Sequence, residues 1–71
     1  SLAYEFSQGL TEGETFDDDG EAFMATIGMP GDQTVAYLDG YYLGQRLAAS
    51  GVDESVNPLL ISIFKKSLGN G

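Results

Sequence analysis

The chain divides by its apolar pattern into two unequal parts. Near the start, Leu2, Tyr4 and Phe6 alternate with Ala3 and Glu5, the period of a short half-buried strand. Gln8 to Gly20 is rich in glycine, threonine and acids and reads as loop. Over Ala22 to Met29 the apolar residues Phe23, Ala25, Ile27 and Met29 again alternate as in a strand. Asp19 can also cap a short helix across the same residues; extended structure is the favoured reading.

From residue 33 the period changes to that of a helix. Tyr37, Gly40, Tyr41, Gly44, Leu47 and Ala48 fall on one stripe at i, i+3, i+4, i+7, i+10 and i+11, widened by Ala36 and Leu43. Asp32 is the expected N-cap of a helix from Gln33 to Ser50. Gly51 is the expected left-handed residue after it, with Val52 reaching back to Leu47. Asn57 and Pro58 open a second helix that Gly69 stops, its stripe formed by Leu60, Ile63, Phe64 and Leu68 and broadened by Leu59 and Ile61. The expected fold is mainly α: a two-helix hairpin over residues 33–71, preceded by an extended or loop-rich acidic arm over 1–32, with a short strand pair at most.

Two glycines inside the strongest helix demand an explanation. Each costs a helix interior about 1 kcal/mol relative to alanine. At the centre of an apolar stripe, Gly40 and Gly44 mark a place where another backbone comes close. That backbone belongs either to the chain's own second helix or to another copy. Val35, Leu38, Tyr42 and Ala49 lie off the stripe, and only Ser62, Lys65 and Lys66 make the second helix polar. Such an excess of apolar surface favours completion by a partner chain.

Composition narrows the chemistry. At 71 residues a single core is marginal without disulfides, metal or a partner. The chain has no cysteine, histidine or tryptophan, so the commonest metal ligand and general base and every Ser-His or Cys-His arrangement are absent. No catalytic residue and no cofactor are expected. Net charge is −8, and the first 32 residues hold eight acids without a lysine or arginine. Direct nucleic-acid binding is therefore not expected. The Pro58–Phe64 run is far short of the roughly 20 residues that span a bilayer, so the chain reads as soluble by itself. It opens at Ser1 rather than methionine, which reads as processing or excision, and no secretory signal remains.

The acidic cluster Asp17-Asp18-Asp19-Gly20 resembles part of a calcium loop. With Gly20 at the sixth position, Asp17 and Asp19 fall at the third and fifth, but Thr15 and Thr26 occupy the first and twelfth, where carboxylates are needed. No metal is expected; Glu12, Glu14, Asp17, Asp18, Asp19 and Glu21 read as a solvated acidic arm that folding can dispense with.

The pattern Tyr37-x-x-Gly40-Tyr41-x-Leu43-Gly44-x-x-Leu47, followed by Gly51-Val52-Asp53, resembles the N-terminal dimerisation domain of FKBP-type peptidyl-prolyl isomerases of the macrophage infectivity potentiator group. Leu60, Ile63, Leu68 and Gly69 continue it, while Ser62 stands where that family commonly has glycine. The resemblance spans residues 37–69 and leaves out the catalytic domain, so it carries no isomerase activity. It implies helices of two chains interlocked in a dimer, and a periplasmic or cell-envelope location. Two functions follow. The first is a non-catalytic assembly or dimerisation module packing through Tyr37, Gly40, Tyr41, Gly44, Leu47, Leu60, Ile63 and Phe64. The alternative is an acidic inhibitor or nucleic-acid mimic that blocks a basic site on a partner.

Overall fold

The structure, a computed structural model, describes residues 1–69. Four helices make it up: α1 (Leu2–Gly13), α2 (Asp19–Thr26), α3 (Gly31–Ala49) and α4 (Asn57–Ser67), with a 3-10 turn, Glu54–Val56, before the last. Among the described residues there is no strand. The mainly α expectation stands, but the acidic segment is helical rather than extended. The Leu2, Tyr4 and Phe6 alternation is overridden because Ala3, Phe6, Gly9, Leu10 and Gly13 share one buried side of α1. Their spacing is helical, and two glycines within it disguised the stripe as loop.

The helix ends follow local chemistry. Ser1 accepts from the Tyr4 amide at the start of α1. Asp18, not Asp19, caps α2, its Oδ1 accepting from the Gly20 amide at 2.8 Å. α3 begins at Gly31, so Asp32 lies inside its first turn, where it meets the positive end of the helix dipole. Its other end is as expected: Gly51 has φ +73°, its amide donates to Ala48, and the Val52 amide donates to the Leu47 carbonyl at 2.9 Å. Asn57 does not cap α4; its amide is drawn away to Glu14.

The two glycine stripes lie against each other. A methyl group placed on Gly9 would overlap the Tyr37 carbonyl oxygen and sit 2.8 Å from the Tyr41 nitrogen. One placed on Gly40 would overlap the Phe6 carbonyl oxygen and sit 2.9 Å from the Leu10 nitrogen. Gly13 and Gly44 repeat the relation against the backbones of Tyr41 and Leu10. Higher numbers on α1 meet higher numbers on α3, so the pair is parallel. Phe6, Gly9, Leu10 and Gly13 each precede Tyr37, Gly40, Tyr41 and Gly44 by 31 positions. The seam is an internal repeat folded onto itself.

The shorter helices then change sides. α4 returns against α1, with Phe64 stacked on Phe6 at a ring separation of 4.3 Å and Asn57 donating to Glu14 at 3.0 Å. α2 lies against α3, with Ala22 packed on Tyr37 and Tyr41 and Gln45 donating to Asp19 at 2.9 Å. Glu14 and Gln45 are again 31 positions apart. Each helix pair lends its second helix to the first helix of the other pair. The residues read as a hairpin over 33–71 are therefore held mainly through α1. The whole measures 35 × 30 × 12 Å along its principal axes. In so flat a body, among the described residues, only Phe6, Leu10, Tyr37 and Tyr41 are large and buried, joined by Ala3, Ala22 and Ala36.

Candidate interaction surface

The residues expected to form an intermolecular stripe divide into two groups. Tyr37, Gly40, Tyr41 and Gly44 are buried in the seam against α1 of the same chain. The backbone that the glycines admit is thus neither the second helix nor another copy but the acidic segment. Leu47, Leu60 and Phe64 are half-buried, and Ile63 is exposed. The seam leaves these outer residues for other contacts.

The acidic arm also has a different role from the one its composition suggests. Glu12 accepts the Tyr37 hydroxyl and the Gln8 amide. Asp19 accepts the Tyr41 hydroxyl at 3.0 Å together with Gln45. Glu14 accepts from Asn57, and Asp18 caps α2. Four of the six carboxylates are fastened into the fold, leaving Asp17 and Glu21 as exposed members without such a bond. These bonds give four of the acids a structural part that a dispensable arm would not have. Asp18→Ala is expected to lower stability by about 0.5 to 2 kcal/mol through loss of the cap, whereas Asp17→Ala changes it little; urea unfolding of the two variants separates them.

These contacts bind tyrosines to their protonated forms. Burial raises the Tyr41 hydroxyl to a pKa of about 12, helped by its hydrogen bond to Asp19 and the nearby carboxylate charge. Burial and then Glu12 raise Tyr37 further still. The folded state keeps these protons where an unfolded tyrosine, with a pKa near 10, has lost them. Stability is thus full below pH 10 and falls as pH rises from 10 to 12. Denaturant midpoints measured across that interval should drop steadily, and Tyr41→Phe should flatten the slope.

The surface left open is the outward side of α3. Val35, Asp39, Tyr42 and Arg46 stand at i, i+4, i+7 and i+11, opposite the buried stripe, and all are exposed. With Leu38 they line one shallow groove; Val35 and Asp39 also border a second, closed by Leu2, Phe64 and Leu68. Leu38 leans on the Ala22–Tyr37–Tyr41 cluster and so carries the surface toward α2. There Phe23, Met24 and Ile27 are 68%, 66% and 62% exposed. On α4, Leu59 and Ile63 are likewise more than half exposed. Sequence reading missed Phe23, Met24 and Ile27 as surface residues, whereas Val35 and Tyr42 were among the off-stripe apolar positions that pointed to an open face.

Among the described residues no group of acids is arranged to hold a metal ion. Asp18 and Asp19, the centre of the calcium-like stretch, turn toward Gly20 and toward Tyr41 and Gln45 instead. Among the described residues no helix is long and apolar enough to cross a membrane. Comparison with protein-family models, curated proteins and solved structures finds no match for this chain.

Proposed function

We propose that the chain is a non-catalytic assembly module, a small helical unit that packs onto another protein chain through its uncovered apolar helix faces. One observation carries this reading. The seam that could have needed a partner is closed within the chain, yet large apolar side chains on α2, α3 and α4 remain more than half exposed. On α3, Val35, Leu38 and Tyr42 line one groove, the kind of apolar patch that marks an interaction site. Interlocked helices are also what the FKBP-domain resemblance implies between two chains. Here both sets belong to one chain, so any further partner must use outer surface.

The acidic-inhibitor alternative draws less support. A polyanion needs free carboxylates, and Glu12, Glu14, Asp18 and Asp19 each accept hydrogen bonds from groups of the same chain. The same acidity still argues against binding to nucleic-acid phosphates.

A photo-crosslinking phenylalanine analogue tests the assembly reading in the native cell. Placed at Tyr42 it should yield one discrete adduct, while at Thr11, exposed on α1, it should yield none. No discrete adduct from position 42, or equal adducts from both, defeats the reading.

A further inference from the structure

We infer that a second copy of this chain docks on the outward face of α3, with the two α3 helices antiparallel about a two-fold axis beside Tyr42. This rests on the assembly reading and deepens it by naming the partner and the face.

The internal repeat supplies a comparison within the molecule. Val35, Asp39 and Tyr42 on α3 correspond, 31 positions earlier, to Tyr4, Gln8 and Thr11 on α1, and Arg46 corresponds to Thr15, just past the end of α1. Both sets are exposed. Only Tyr4 is apolar bulk on the α1 side, which carries no charge. On the α3 side an apolar centre lies between one acid and one base. Equivalent positions that diverge in this way have different tasks.

The charges then select the partner. Among the described residues no ion pair joins two side chains, so Asp39 and Arg46 are both unpaired within the chain. They stand seven residues apart, about 10 Å along the helix. A symmetric interface brings residue i of one copy to residue j of the other and j to i. An axis midway between positions 39 and 46 passes next to Tyr42. It sets Asp39 of each copy opposite Arg46 of the other, forming two pairs around packed tyrosines. An unrelated basic partner would gain from Asp39 but be repelled by Arg46. A second copy satisfies both. A standard interface needs about 800 Å² from each partner, under a fifth of the chain's 4405 Å².

The test is sedimentation equilibrium of the full chain from about 1 to 500 μM, with circular dichroism as a folding control. The parent protein is expected to dimerise. Asp39→Arg and Arg46→Asp should each weaken the dimer about tenfold or more, because each sets like charges face to face twice. The double variant Asp39→Arg/Arg46→Asp restores the pairs and should return the affinity to within about threefold of the parent. Tyr42→Glu should give a folded monomer.

Single reversals without effect, or a double variant weaker than either, overturn the proposed geometry while leaving a dimer and the assembly reading intact. A chain monomeric throughout this range overturns the second copy. The adduct from position 42 then decides separately whether the assembly reading stands, since its mass shows whether another protein occupies the face.

Discussion

Gly40→Ala is expected to melt at least about 5 °C below the parent, although alanine is the better helix former. Propensity alone favours the change by about 1 kcal/mol. Against this, the new methyl group overlaps the Phe6 carbonyl oxygen and presses on the Leu10 nitrogen. These are backbone atoms of a helix and cannot rotate away, so α1 and α3 must separate along their whole seam. Overpacking of this kind costs about 1 to 3 kcal/mol even where side chains can adjust. In a domain of this size each net kcal/mol moves the midpoint by about 4 to 8 °C. Gly31→Ala is the control: its methyl group meets nothing within 4 Å. It should hold or raise the midpoint. A Gly40→Ala protein as stable as the parent would show that the helices are not in backbone contact.

Neighbouring tyrosines provide the second large contrast. Tyr41 is fully buried, between Phe16 and Tyr37, with its hydroxyl on Asp19. Truncating a large buried aromatic to alanine costs about 3 to 5 kcal/mol. A domain with 71 residues commonly has only about 4 to 10 kcal/mol of stability. Tyr41→Ala should therefore lose most of its helical circular dichroism at 37 °C, and raising the protein concentration should not restore it. Tyr42 is 46% exposed and lies on the outward face. Its ring meets Tyr41 edge-on at 5.4 Å, so Tyr42→Ala should keep its helix signal and cost about 0.5 to 1.5 kcal/mol, well below Tyr41→Ala. Were Tyr41→Ala to stay folded, the seam would not be the core of this protein.

The second half of the chain was largely legible from its residues. The extent of α3, its glycine-terminated end and the position of α4 all follow from helical period and cap chemistry. The meaning of Gly40 and Gly44 as a close crossing was also readable. What covers them was not, because the covering segment was hidden by its own glycines. Gly9 and Gly13 serve the same purpose as Gly40 and Gly44, yet among acids and threonines they resemble turn residues. Aligning Phe6-x-x-Gly9-Leu10-x-x-Gly13 with Tyr37-x-x-Gly40-Tyr41-x-x-Gly44 would have revealed the repeat.

Local spacing says even less about the carboxylates. Asp19 and Gln45 are 26 positions apart, and Glu12 and Tyr37 are 25 apart. Nothing near either acid in sequence announces a tyrosine or glutamine donor. The candidate surface stood midway between these cases. Apolar excess on α3 and α4 indicated that some face stays open, but which face depends on where α1 and α2 lie.

The parallel seam has a consequence for how the polypeptide can be divided. In an antiparallel hairpin each half of a chain can begin folding with its immediate neighbour. Here α1 and α2 find their main partners in α3 and α4, so neither half has a core of its own. The four residues from Ile27 to Pro30 join the halves, and of these Met29 packs on the Ala22–Tyr37–Tyr41 cluster. Severing the backbone between Ile27 and Gly28 removes a tether and leaves Met29 on the same fragment as Tyr37 and Tyr41, on which it packs. Each fragment alone should be unstructured, and the two mixed together should reconstitute the fold by complementation, at a cost set by the lost effective concentration.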